Sequence, residues 1–148
     1  MKALFLAGRI AFGGFFVYSG IHHFLKWRSI AQYARAKNVP QPEASVLASG
    51  ALIFLGGSLV ALGVQPKLGA AAILAFLASV SPTMHDFWKQ SDPTQQMNEM
   101  INFTKNMALL GAALALMGVE EPWPLSLPIA RPAGLARVVE IARQRLAA

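Results

Sequence analysis

The sequence predicts an all-α integral membrane protein: a four-helix bundle with a short interfacial helix in its first loop and an amphipathic helix near its C-terminal end. Hydrophobic residues make up 55% of the 148 residues and charged ones 14%, against about 45–50% and 25% in soluble domains. Four apolar stretches are long enough to cross a bilayer, and the polar clusters sit where their ends should meet. Residues 51–64 and 68–80 are apolar all round, whereas a soluble bundle would show polar outer faces with a 3.6-residue period.

The first span covers residues 3–25. Residues 1–5 have the positive residue and apolar run of a secretory signal, but Arg9 interrupts the apolar stretch and no clear small-residue cleavage pattern follows, so a retained span is expected. The first loop, 26–43, holds Ile30, Tyr33 and Ala34 at helical spacing and then Asn38-Val39-Pro40 as a stop signal. It reads as a short interfacial helix, with Trp27 as a headgroup-level aromatic. The second span, 44–64, is about 31 Å long and matches a hydrocarbon core of about 30 Å. Gln65-Pro66-Lys67 forms a tight turn into the third span, 68–84. The third loop, 85–98, is polar, with Asp92-Pro93 as a turn signal, and the fourth span covers 99–118.

Residues 1–118 thus form the bundle and 119–148 a Pro-rich linker with a basic tail. Pro122, Pro124, Pro128 and Pro132 bar a regular helix before Gly134. Beyond it, Leu135, Val138, Val139, Ala142 and Leu146 line one face while Arg137, Glu140, Arg143 and Gln144 take the other. That pattern suits a helix lying on the membrane surface, and equally a frayed tail or a partner contact. Small residues stripe the spans: Ser49, Gly56 and Gly63; Gly50 and Gly57; and Ala108, Gly111, Ala112 and Ala115. In lipid, small residues let helix backbones approach closely, which is the main source of their association.

A formal charge of +6 raises the question of nucleic acid, but no basic stripe lies on a soluble motif. The basic residues flank the apolar segments, where anionic headgroups attract them by about 1 kcal/mol each. The absence of cysteine rules out a disulfide, a thiolate redox centre or a cysteine-held iron–sulfur cluster supplied by this chain.

An even number of spans puts both termini on one side and the first and third loops on the other. His22, His23, His85 and Asp86 therefore share a membrane face. The start of span four joins them, and its Glu99, Asn102, Lys105 and Asn106 follow i, i+3, i+4 spacing as one polar stripe that should look inward. On span one, His23 lies about 40° from Arg9 around the helix; His22 points roughly the opposite way, toward the interface beside Tyr18. Arg9 sits about 9 Å into the membrane from the terminal side, with no acidic residue in spans two or three to neutralise it. It is expected to meet a backbone carbonyl or to reach back to the near headgroups.

Four chemistries suit the cluster. His23, His85, Asp86 and Glu99 are metal-ligand types, but they lie on different spans without a His-x-x-x-His pair, and no metal is expected. His23 or His85 beside Asp86 suits acid–base work, since a carboxylate fixes an imidazole's tautomer and favours its charged form; nothing supplies a nucleophile. The groups equally suit a structural role, capping helix ends and satisfying one another. The fourth is a head-group pocket for a quinone or lipid, with Lys105, Asn102, Asn106 and a histidine as polar groups and Phe87 and Trp88 as flat walls.

At Arg9, Ser19-Gly20-Ile21-His22-His23-Phe24, Asn38-Val39-Pro40, Gly56-Gly57, His85-Asp86-Phe87-Trp88, Asn102-Phe103-Thr104-Lys105-Asn106 and Leu109-Leu110-Gly111, the chain resembles the DoxX family of small four-span bacterial membrane proteins. The resemblance covers about residues 5–118. Many members carry a lysine where His23 stands and an acid in span two where this chain has Ile53. The resemblance implies a relative of the membrane subunit of a quinone-reducing thiosulfate oxidoreductase, membrane redox-defence complexes as partners, and a cytoplasmic N-terminus.

The leading expectation is an inner-membrane protein, N- and C-termini cytoplasmic, that binds a quinone-like or lipidic molecule through His23, His85, Asp86, Trp88, Asn102, Lys105 and Asn106. It would serve a redox assembly with a soluble or membrane partner, with homo-oligomerisation open, and His85 with Asp86 would move protons. Electrons must be taken by a partner or bound cofactor. The rival is a noncatalytic scaffold or assembly factor whose polar cluster ties helices together. A solute carrier fits less well, because four spans without a repeat are few for alternating access.

Overall fold

The computed structural model of the protein describes residues 1–127. They form five helices, α1 (Lys2–Leu25), α2 (Trp27–Ala36), α3 (Pro42–Leu62), α4 (Pro66–Met84) and α5 (Pro93–Met117), with a single 3-10 turn at Phe87–Lys89. Helices α1, α3, α4 and α5 are long and apolar enough to cross a membrane. The proposed C-terminal amphipathic helix lies outside the described residues.

Helix boundaries follow from backbone chemistry. Both α3 and α4 start at a Gln-Pro pair: Gln41 and Gln65 take left-handed backbone angles (φ 46° and 44°), and the proline occupies the first helical position, where its missing N–H leaves nothing unpaired. The expected turn at Asp92-Pro93 proves to be a helix start. The Asp92 carboxylate accepts the Gln95 backbone N–H at 2.7 Å, so α5 begins well before Glu99. Helix α2 stops where Asn38 turns left-handed (φ 57°) and the Val39 N–H returns to the Ala34 carbonyl at 3.0 Å.

The tightest packing joins α1 to α3. A Cβ placed on Gly13 would lie 2.6 Å from the Gly57 carbonyl oxygen, one on Gly57 would lie 2.6 Å from the Gly13 oxygen, and one on Gly20 2.8 Å from the Gly50 oxygen. The two backbones are in van der Waals contact, and no larger residue fits. Gly69 meets the Gly56 oxygen in the same way across α3 and α4. Phe16, Ile53, Val60, Ala70, Ile73, Leu77, Ala113 and Trp123 fill the centre. Leu4, Ile10, Leu52, Leu55, Leu68, Ile101 and Leu114 face outward, as lipid permits.

Helix α5 packs on α4 and on the 3-10 turn, while α1 packs on α3; α1 and α5 make little direct contact. The bundle is therefore open between its first and last spans. Helix α2 closes the loop face: Ala31 and Ala34 are buried with Val46 and Met84, while Arg28, Gln32 and Arg35 stay exposed.

The opposite face is closed by residues 119–127, the first part of the stretch expected to be a linker. They fold back on the bundle. Trp123 is 2% exposed and meets Phe5 edge-on at 5.3 Å, and the Leu127 N–H reaches the Leu62 carbonyl at 3.1 Å. Arg9 explains the return. Its guanidinium, 2% exposed, donates to the carbonyls of Pro124 and Leu125, each at 3.1 Å, and to the Ser126 hydroxyl at 3.2 Å. The carbonyl expected for Arg9 therefore comes from this segment, while its buried Nε has no partner among the described residues. Gly63 (φ 71°) ends α3 beside these groups, and any side chain there would collide with Ser126 and Arg9.

Candidate functional site

On the loop face, three polar side chains from the first and third loops, Tyr33, Lys37 and His85, converge on Glu99. Glu99 is 6% exposed and lies on α5 about two helical turns beyond the capped start. Its Oε1 accepts the Tyr33 hydroxyl at 2.6 Å, and its Oε2 accepts His85 Nδ1–H at 2.8 Å. Lys37 Nζ lies 3.6 Å from Oε1 and donates to Asp86 Oδ1. Asp86 also receives Gln90 Nε2 at 3.0 Å and has Lys89 at 3.7 Å. The Tyr33 oxygen lies 3.2 Å from the Met84 carbonyl as well. Burial, then the hydrogen bond to Glu99 and the charges of Glu99 and Asp86, push the Tyr33 hydroxyl well above the usual tyrosine value, so it stays a donor.

The pairing differs from the expectation for His85 and Asp86. These neighbours diverge: His85 takes Glu99, and Asp86 takes Lys37. Tyr33 and Lys37 were not singled out for the site, yet their i, i+4 spacing on the amphipathic first loop puts both on one face of α2, and that face meets Glu99.

Beside this network lies a cleft of about 200 Å³ lined by Phe15, Phe16, Ser19, His23, Ile53, Phe76, Leu77, Val80, Met84, His85, Lys105, Asn106 and Leu109. It occupies the opening between α1 and α5. Of the residues expected in a pocket, His23, His85, Lys105 and Asn106 line it. Asp86 stands behind His85 in the ionic network. Trp88 is exposed and joins Phe87 and Phe103 in an aromatic cluster with ring centroids 5.0–5.8 Å apart. Asn102 accepts Lys105 Nζ at 3.0 Å.

The stripe of α5 splits by angle. Asn106 lies about 20° from Glu99 around the helix and Lys105 about 120° away, so Asn106 is 8% exposed while Lys105 sits at the cleft's open edge. Asn106 makes no side-chain hydrogen bond with any described residue, although it is buried where lipid offers none. His23 donates Nδ1–H to the Ser19 carbonyl at 2.7 Å. His22 faces out and stacks near Tyr18 with centroids 6.4 Å apart. Both histidines of the cleft thus spend Nδ1 elsewhere and keep Nε2 unpaired among the described residues. No trio of His, Asp or Glu among those residues is placed to hold a metal ion.

A second, apolar cavity of about 230 Å³ lies across α2, α3 and α4 and shares His23, Phe76, Val80 and Met84 with the cleft. Its Ser45, Ser49, Ser79 and Thr83 hydroxyls all bond backbone carbonyls, so it offers no free donor from them.

Fold and site define a multi-pass helical membrane protein with an ionic network at one rim and a polar-lipped cleft beside it. The DoxX family model matches residues 4–86, more than half of the chain, and the chain belongs to the DoxX family. Searches among curated proteins and among solved structures gave no match. Ile53 of the second span is fully buried and lines the cleft.

Proposed function

We propose that this DoxX protein binds a quinone-like or lipidic small molecule in the α1–α5 cleft and serves a membrane redox assembly as its membrane-embedded subunit or partner. Asn106 carries the reading: its amide has no partner among the described residues and borders a mostly apolar cleft, where an unmade hydrogen bond costs free energy, and an oxygen head group in the cleft would satisfy it. Lys105 at the rim supplies a second donor. At about 200 Å³ the cleft is smaller than the roughly 300–1,000 Å³ of drug-sized pockets, so a head group enters and the tail remains among the lipid chains. The chain has no cysteine, and electrons would pass to a partner protein. By family resemblance, the protein would sit in the inner membrane with both termini cytoplasmic and the cleft near the opposite leaflet.

The test is mass spectrometry of the lipids and quinones carried by gently purified protein. Parent protein is expected to retain a defined molecule, with at least tenfold less in Asn106→Leu and a smaller loss in Lys105→Ala. Equal cargo in all three would overturn the assignment. One observation favours a noncatalytic scaffold: Glu99, Tyr33, His85, Lys37 and Asp86 satisfy one another. That reading gains if the cleft variants carry the same cargo while Glu99→Gln loses a co-purified protein.

A further inference from the structure

The deepest connection in the molecule is between the cleft and the carboxylate behind it. His85 lines the cleft, its Nδ1–H is held by Glu99 Oε2 at 2.8 Å, and Glu99 is in turn fixed by Tyr33 at 2.6 Å. This is a carboxylate–imidazole dyad whose Nε2 has no partner among the described residues. A carboxylate on Nδ1 sets the tautomer that leaves Nε2 as an acceptor, and it stabilises the imidazolium formed when Nε2 takes a proton. Two donors, the Asn106 amide and the Lys105 ammonium, line the same cleft. They are the groups that hold an oxygen as negative charge develops on it.

Resting on the cleft as a binding site, we propose that Glu99 and His85 form a general-base dyad and that the ligand carries a weakly acidic hydroxyl of the phenol or hydroquinone class. The O–H bond of the ligand breaks, its proton moves to His85 Nε2, and the oxygen keeps the electron pair as a phenolate held by Asn106 and Lys105. No electron is transferred in this step. His85 touches the ligand; Glu99 acts through His85 as a positioning residue.

The remaining charged and titratable neighbours are accounted for. Tyr33 and Lys37 from α2 face Glu99. Asp86 is held by Lys37 and Lys89. Lys105 of α5 and His23 of α1 line the cleft, and His23 is tied to Ser19.

A 4-nitrophenol bearing a short alkyl chain tests the dyad, because its phenolate and phenol differ in visible absorbance. The probe is titrated against pH in detergent micelles without protein, with parent protein, and with variants. With parent protein the bound probe is expected to ionise at least about one pH unit lower than in empty micelles, a tenfold change in its phenolate ratio. Glu99→Gln should keep the probe bound and lose most of that difference. Glu43→Gln, which removes a half-exposed carboxylate of the same loop face that pairs with Arg35 outside the network, should keep it. If Glu99→Gln does not fold, His85→Asn keeps a donor toward Glu99 without the base and should lose the difference equally.

Equal midpoints in parent and Glu99→Gln, or an equal loss in Glu43→Gln, would overturn the dyad and leave the cleft standing. Absence of saturable probe binding that Asn106→Leu removes would overturn the cleft reading itself.

Discussion

Arg9 shows how one residue organises a membrane protein's end. A guanidinium buried among helices must find acceptors, and three come from residues 124–126. Leu125 adopts a left-handed backbone (φ 57°), a conformation that costs a non-glycine residue roughly 1–2 kcal/mol, and its carbonyl is one of the three. Arg9→Lys should destabilise the protein by about 2 kcal/mol, since one ammonium cannot replace a planar fork serving three acceptors; thermal unfolding in detergent measures this. At the other face, Tyr33 holds its proton more tightly when folded than when unfolded, so its contribution is complete below the ordinary tyrosine value of about 10 and is lost as pH rises beyond it. Alkaline unfolding of the parent should therefore steepen above about pH 10 relative to Tyr33→Phe, and parallel curves would contradict the placement of Tyr33 on Glu99. The sequence offered Arg9 and Tyr33 as residue types in plausible places. Their partners, 115 and 66 positions away, carried no local signal.

At the scale of elements, the α1–α3 contact is made by the absence of side chains. Gly57→Leu should wedge the helices apart, with a loss of at least about 3 kcal/mol and a lower unfolding temperature. Gly14 lies on the same helix with open space around its Cα, so Gly14→Ala should be neutral or stabilise by about 0.5–1 kcal/mol. A similar loss for both would show that helix propensity, rather than close approach, decides this interface. The stripe Gly50 and Gly57 was legible from its spacing. Which helix it faces was not, because Gly8, Gly13, Gly14 and Gly20 on α1 offer more than one side. The polar stripe of α5 was legible in the same incomplete way: its residues were identified, but a 100° step per residue turns Lys105 from the line that Glu99 and Asn106 share.

In the whole molecule, the two membrane faces are closed differently. Helix α2 and the ionic network close the loop face, and residues 119–127 close the terminal face over Arg9. Trp123 anchors the latter, so Trp123→Ala should cost about 3 kcal/mol or more and expose Arg9 to an arginine-modifying reagent. Peptide mapping of the modified site reads this directly, and unchanged protection of Arg9 would show that the segment holds without its anchor. Between the closed faces, α1 and α5 make little direct contact, and the cleft lies in the gap that separates them; under the proposed function, that gap is where a ligand would enter from the plane of the membrane.

Composition and the length of the apolar runs determined the four spans, the interfacial helix and the shared side of the histidines, because transfer into lipid depends on local sequence alone. The pairings were decided in three dimensions: Glu99 rather than Asp86 for His85, a returning segment for Arg9, and an amide left without a partner at Asn106. The Asn106 amide lacks a partner among the described residues only. Each pairing depends on which helix faces meet, and helices in lipid choose their faces by close packing between distant residues rather than by burial of an apolar side, so that choice exists only once the bundle has closed.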